Sequence, residues 1–485
     1  MVDRAPYPYA FDRTAFAGDL HHRFGSLEAG AETGQDVRVA GRVMTTRAHG
    51  KIAFADLADP TGRIQLFAQH AVLGDEGMDA FAQLNVGDLA GADGEVVMTR
   101  RGELSVRVTD VVRLAPCLRP MPEKWHGLTD VEARYRQRYL DLIVNPDARR
   151  VLEARAAANA AIRRFFDDRG FLEVETPLLQ PVAGGAIARP FVTHHNALDI
   201  DLYLRIAPEL FLKRLLIGGA ERVYELNRSF RNEGVSTRHN PEFTMLEAYE
   251  AYVDYEHTMA LVEDLVRAIA QGVRGVASAG PQTGGTLELQ VGERTIDLAA
   301  PFARKSMFET IEETTGASLS DAWTAGDETA IRNEARRLGV RVEEGWTAGK
   351  VVAEIFEELV EKTLFEPTFV MGYPKEVSPL AKDHRSLPGF TEQADLIVGG
   401  VEIAPIYSEL NDPDEQRRRF QQQAAARAAG DQEGMVPDED FLEALAYGMP
   451  PAGGFGLGID RLLTLLLGVP SIREVILFPT LKPGT

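Results

Sequence analysis

Apolar and polar residues alternate with a period of two in five runs between Gln35 and Pro120: DVRVAGRVMTT from Asp36, KIAFADLAD from Lys51, RIQLFAQ from Arg63, GDLAGADGEVVMT from Gly87 and GELSVRVTDVVRLA from Gly102. Alternation of this kind predicts half-buried strands, and the Pro60-Thr61-Gly62 turn separates the second run from the third. Five short strands in so small a span suit a closed barrel of the OB type, a fold that often holds single-stranded nucleic acid. Further along, Val151, Leu152, Ile162, Phe165 and Phe166 mark the buried face of a helix that Gly170 ends, and FLEVETPLL reads as the strand after it. Two strand-like runs, Arg222–Glu233 and Glu242–Tyr252, flank a polar loop from Gly234 to Pro241 and predict an antiparallel hairpin. The pattern turns helical between about 257 and 365, with a Gly/Thr/Pro-rich loop at Ala277–Thr286 and an acidic, Ala-rich stretch at Ser320–Arg337. From Thr368 the sheet pattern returns, with Gly399-Gly400 as a two-residue hairpin turn, and a glycine-rich run from Ala452 passes into an apolar helix.

These elements predict an α+β protein: an extension over 1–34, helical around Thr14–Glu28, a barrel over 35–120, a linker over 121–145 and a larger sheet-and-helix domain over 146–485 that carries the helical insertion. A chain of 485 residues, 45% hydrophobic and 26% charged, has ample material for a large core. The N-terminus carries acids and prolines where a signal peptide needs a basic start and an apolar run, and nowhere do about 18 apolar residues run together, so a cytoplasmic location is expected and no membrane span. The single cysteine, Cys117, rules out an internal disulfide and a cysteine zinc cluster. A net charge of −21 looks wrong for a nucleic-acid binder, but the acidity is concentrated in 121–485, where 39 Lys+Arg face 57 Asp+Glu; the barrel segment is close to neutral and is free to present a basic face.

The chemistry concentrates on the central hairpin. Arg231 and Glu233 share a face of its first strand, and Phe243, Met245, Glu247 and Tyr249 share a face of its second. A guanidinium matches a phosphate and an aromatic ring stacks on a base, so the set suits a nucleotide, with a salt-bridged amphipathic hairpin as the plainer reading. The wording FRNEGVSTRHNPEFTMLE from Phe230 closely resembles the second signature motif of the class II aminoacyl-tRNA synthetases, in the form of the lysyl-tRNA synthetases. That resemblance implies an ATP site in which Arg231 holds the α-phosphate, Glu233 belongs to the same set, Arg238 and His239 reach the outer phosphates and Phe243 stacks on adenine.

The rest of the chain resembles the same family. The helix before Gly170, FLEVETPLL and Pro177 resemble the first class II motif, which implies a homodimer. GLGIDRLLTLLLG resembles the third, which puts Arg461 over the other face of adenine and on the γ-phosphate. In the Gly399-Gly400 hairpin Asp395 and Glu402 become diagonal neighbours able to share a divalent ion, and the resemblance makes that ion Mg2+. For the amino acid it implies Glu409 with Tyr249 around the side-chain ammonium, and Gly185, Glu209, Glu247 and Tyr407 around the remainder. The barrel resembles an anticodon-binding domain, with Phe54 stacking on a base and Arg47 and Gln65 as further contacts. The implied activity is ATP-dependent activation of L-lysine and its transfer to tRNA(Lys).

One run departs from the family. From Glu402 to Glu409 the chain reads EIAPIYSE, with Pro405 where asparagine is usual and Ile406 where a small residue is usual; Asp395, preceded by Gln393 and Ala394, replaces a glutamate. Glu402 and Glu409 also have opposite parity, so if both face one site their strand needs a bulge. The departures leave open a paralogue with an altered pocket, acting on a lysine analogue or a non-tRNA acceptor, or an adenylate-binding regulator.

Overall fold

The computed structural model describes residues 7–122, 128–186, 188–276, 287–428 and 436–482, and the chain divides into two compact units, Met1–Gly127 and Leu128–Thr485. The boundary lies within the segment read as a linker; part of that segment, and the whole Ala277–Thr286 loop, lie outside the described residues.

The first unit is the expected closed barrel, with strands β1 (Glu32–His49), β2 (Ile52–Asp59), β3 (Gly62–Gln69), β4 (Leu89–Met98) and β5 (Leu104–Ala115) in the order β1-β2-β3-β5-β4, closed by β1 pairing with β4. In β2 the alternation does what the sequence says: Ala53, Ala55 and Leu57 are buried in the core, while Phe54 and Asp56 face outward and are half-buried. A short helix α1 (Ala17–Phe24) packs Ala17 and Leu20 into this core. The helix α2 (His70–Ala82) between β3 and β4 has no clear signal in the sequence, because it contains two glycines, and Gly74, at φ +65°, kinks it.

The second unit is built on an eight-stranded sheet. Its strands are β6 (Leu172–Glu173), β7 (Arg222–Phe230), β8 (Glu242–Ala251), β9 (Ala303–Ser306), β10 (Thr368–Met371), β11 (Gln393–Val398), β12 (Val401–Ser408) and β13 (Ala452–Gly458), in the order β9-β10-β11-β12-β13-β8-β7-β6. The six central strands are antiparallel, and the edge strands β6 and β9 join in parallel. Helices α3 (Pro146–Asp167), α4 (Glu209–Ile217), α5 (Tyr255–Val276) and α6 (Ile459–Leu467) flank it. Phe166, Tyr224, Leu246, Val266, Ile406, Phe455 and Leu463 join one buried cluster, so α3, α5 and α6 cover one face of the sheet, while the other is covered in part, by α4 over Val223 and Tyr249 and by the insertion over Val370 and Ile397.

Three expectations change. FLEVETPLL is a strand only over β6, whose ladder ends with the Val174 amide on the Tyr224 carbonyl, and Leu179–Gln180, beyond Pro177, pairs instead in a small sheet with Phe191–His195 and Ile200–Leu204. The insertion is not wholly helical: it contributes the hairpin Glu288–Val291/Arg294–Asp297 and the edge strand β9. The first hairpin strand ends at Phe230, so Arg231 and Glu233 sit in the loop rather than on the strand.

Candidate active site

The face of the sheet opposite α3, α5 and α6 encloses a cavity of about 380 Å³, and its shape begins with missing side chains. In β13 the residues at every second position, Gly454, Gly456 and Gly458, lie opposite Tyr249, Glu247 and Met245 of β8, while the intervening Phe455 and Leu457 fill the core behind. A Cβ on Gly454 would stand 2.2 Å from Glu409 Oε1 and 2.4 Å from the Tyr249 ring, so only glycine lets those two side chains pack onto the strand there, while Gly456 and Gly458 line the cavity itself. Phe243, Met245, Glu247 and Tyr249 line the cavity from β8, as their shared parity requires.

The β11–β12 ladder shifts register between Leu396 and Ile397: Leu396 pairs with Ala404 but Ile397 with Glu402, leaving Ile403 as the extra residue of a bulge. The bulge resolves the parity conflict, and Glu402, Pro405 and Tyr407 all line the cavity with Asp395. Ile406, by contrast, is wholly buried in the core behind the sheet, so this departure from the family pattern concerns packing and not the cavity wall.

Gly185 and Glu209, the first residue of α4, line the cavity from the side. Buried Glu209 lies one helical turn before buried Lys213, whose Nζ is 2.6 Å from Glu209 Oε1 and 2.5 Å from Glu409 Oε2. The Tyr249 hydroxyl donates to Glu247 Oε2 at 3.1 Å. Burial, reinforced by Glu209, raises the Glu247 carboxyl well above its ordinary range, and burial likewise raises the phenols of Tyr249 and Tyr407. Glu409 is raised to about 7 by burial while Lys213 pulls it down.

The mouth of the cavity is cationic. Arg231, Arg238, His239 and Arg461 line it with Glu233. Ser236 Oγ accepts from the amides of Arg238 and His239, both at 3.1 Å, which turns the loop back over the hairpin. Arg461 donates to the Glu402 carbonyl at 3.0 Å and approaches His239 Nε2 at 3.2 Å, and Arg231 lies over the Phe243 ring with its guanidinium carbon 5.2 Å from the centroid. Burial works against the charge on Arg231, and its Nε is a buried donor without a hydrogen-bond partner, the arrangement expected of a cation that awaits an anion.

Asp395 accepts a hydrogen bond from Gln393 Nε2 at 3.0 Å and is raised to about 8, first by burial and then by the Glu402 carboxylate. A second cavity of about 340 Å³ shares Asp395, Glu402, Arg238, His239 and Arg461 and adds Glu357 and Glu361. Glu361 Oε1 accepts from the Glu402 amide at 3.3 Å. No group of three or more His, Cys, Asp or Glu with the spacing of a metal site occurs among the described residues.

On the barrel, Arg47, Phe54 and Phe67 lie opposite one another along β1, β2 and β3, and the two rings stack with centroids 5.0 Å apart at 6°. The Arg47 guanidinium carbon is 5.9 Å from the Phe54 centroid. Gln65 shares this outward face but is itself buried, accepting from Ser105 Oγ at 3.0 Å.

The sequence reading missed Lys213, Phe67, Gly454, Glu357 and Glu361. Helical spacing after Glu209 was a signal for the first, outward parity with Phe54 for the second, and the every-second-residue glycines for the third. Glu357 and Glu361 come together with Glu402 only by folding.

The family model for class II tRNA synthetases (D, K and N) matches residues 130–482, and that for an OB-fold nucleic acid binding domain matches residues 37–114. The chain is similar to proteins named lysine–tRNA ligase. It is 50% identical over 478 residues to that of Syntrophomonas wolfei, covering 99% of this chain and 93% of the relative. Against that of Moorella thermoacetica it is 52% identical over 478 residues, covering 99% and 94%. Against that of Xanthomonas campestris the identity is 50% over 482 residues, covering 98% and 93%.

Proposed function

The chain belongs to the class II tRNA synthetases and, within them, to the lysine–tRNA ligases, and on that premise we propose how its own residues carry the reaction. It activates L-lysine with ATP and transfers it to tRNA(Lys). In the first half-reaction a carboxylate oxygen of lysine attacks the α-phosphorus, forming the mixed anhydride while pyrophosphate leaves. In the second the acyl group passes to a hydroxyl of the terminal adenosine and AMP leaves. Two anions must meet in the first step, so positioning and opposing charge supply most of the acceleration.

Arg231 bears on the α-phosphate; its unpartnered, buried Nε at the cationic mouth is the observation that carries this reading. Glu233, Arg238, His239 and Arg461 hold the rest of the triphosphate and the adenosine, and Phe243 offers the stacking surface. Asp395 and Glu402 suit a magnesium ion, since two neighbouring carboxylates beside a phosphate site, with the Asp395 carboxyl pushed up by burial and by Glu402, match a hard dication. Bound there, Mg2+ would neutralise phosphate charge. Glu409 and Tyr249 receive the side-chain ammonium, Glu209, Glu247 and Gly185 the α-amino end, and Tyr407 walls the stem. A buried carboxylate rejects an uncharged side chain because it would be left unpaired.

The barrel face of Arg47, Phe54 and Gln65 reads the anticodon, supported by a ring pair that offers bases a stacking surface. A homodimer is supported by Leu172, Leu178, Leu179, Val192, Leu198 and Ile200, all exposed on the β6 segment and the small sheet beside it. No helix among the described residues is long and apolar enough to cross a membrane, and we place the enzyme in the cytoplasm. ATP–pyrophosphate exchange over a panel of amino acids, followed by charging of bulk tRNA, tests the assignment: lysine alone should drive exchange, and exchange driven by another amino acid and not by lysine would overturn it.

A further inference from the structure

Lys213 has no role in the account above, yet its ammonium occupies the centre of the amino-acid pocket's charge. It is wholly buried on α4, bridging Glu209 Oε1 at 2.6 Å and Glu409 Oε2 at 2.5 Å. Those are two of the carboxylates assigned to the amino groups of the substrate. Glu409 is 1% exposed, and its Oε1 has no hydrogen-bond partner and fills the space that a Cβ on Gly454 would take. Glu409 therefore has one oxygen on a resident cation and the other unpartnered against Gly454, next to Tyr249 and Tyr407, which line the cavity. The groups that face it are Lys213 and Glu209 from α4, Tyr249 from β8 and Tyr407 from its own strand, with Glu247 beyond the Tyr249 hydroxyl.

We propose that Lys213 is a positioning and specificity-determining residue: a resident counter-ion that stands in for the substrate's side-chain ammonium on Glu409 while the pocket is empty and leans on Glu209 once that ammonium arrives. The inference rests on the lysine-activating reading of this pocket. Charge balance supports it. With lysine bound, Glu209, Glu409 and the substrate carboxylate are matched by the two substrate ammonium groups and Lys213, while burial favours the neutral form of Glu247 and Arg231 serves the α-phosphate; without Lys213 one buried carboxylate is uncompensated. Without Lys213, Glu409 also takes up a proton more readily, because burial already pushes it upward and the opposing cation is gone. A protonated Glu409 neither attracts an ammonium nor rejects an uncharged side chain. Lys213 thus acts on specificity through Glu409.

The test is pyrophosphate exchange by the full-length protein between pH 6 and 9, with lysine and with norleucine, its uncharged analogue. Lys213→Gln keeps a polar end but removes the charge. At pH 7 its KM for lysine should rise by about tenfold or more with a smaller change in kcat, and the midpoint of its kcat/KM profile should move up by about 1–3 pH units relative to the parent. Discrimination against norleucine should fall, and Lys213→Arg should recover both. Glu209→Gln, which leaves Lys213 to Glu409 alone, should move the midpoint down even though its KM rises; it carries the test if Lys213→Gln fails to fold. A midpoint that stays at the parent value in these variants, or a loss equal at every pH that arginine does not rescue, overturns the role of Lys213. Absence of lysine-dependent exchange in the parent overturns the reading of the pocket instead.

Discussion

Gly454 and Glu409 pack directly on one another: a Cβ on the glycine would lie 2.2 Å from Glu409 Oε1, so the carboxylate proposed to receive the lysine ammonium holds its position because that methyl is absent. Gly454→Ala should therefore displace Glu409 and Tyr249 while the strand itself tolerates alanine, since Gly454 does not have a positive φ. We expect KM for lysine to rise about 10- to 100-fold, the value of one or two charge-assisted hydrogen bonds, with little change in KM for ATP. A lysine KM within twofold of the parent would contradict this account of the contact.

Arg231→Ala should remove the cation at the α-phosphate and lower adenylate formation by at least about 10²-fold. The variant should keep its fold, because the Arg231 guanidinium has an unpartnered Nε and only a ring, Phe243, beneath it. Exchange within about tenfold of the parent would remove Arg231 from the chemistry.

Phe54→Ala separates the two units. Stacking on a base is worth about 1–3 kcal/mol, so KM for tRNA should rise roughly 5- to 150-fold while pyrophosphate exchange stays at the parent level. Phe54 is half-buried on the outside of the barrel, so its loss should cost little stability. Equal losses in exchange and charging would point to unfolding.

Pro405 lines the cavity opposite Asp395 and brings neither an amide side chain nor a backbone N–H. Pro405→Asn should supply one hydrogen bond near the substrate carboxylate and lower KM for lysine several-fold, the equivalent of about 1 kcal/mol. An unchanged or higher KM would mean that this strand position makes no contact with the substrate.

Local chemistry decided what the sequence could show. The barrel strands, the β7–β8 hairpin and the turn at Gly399 and Gly400, with φ of +63° and +72°, are set by alternation and by glycine's access to positive φ, and both are written into neighbouring residues. The shared side of Phe243, Met245, Glu247 and Tyr249 follows from parity alone. Where an outcome depended on a partner strand or a distant side chain, the sequence was silent or wrong. Glu402 turns to the same side as Tyr407 only because pairing with β11 expels Ile403 as a bulge. FLEVETPLL pairs over only two residues because its partner strand, β7, lies far along the chain and alone sets where the ladder runs. Lys213 joins Glu409 because α4 packs on β7 and β8 in the folded sheet, and a buried ion pair between distant segments exists only once burial has removed water and forced each charge to find the other.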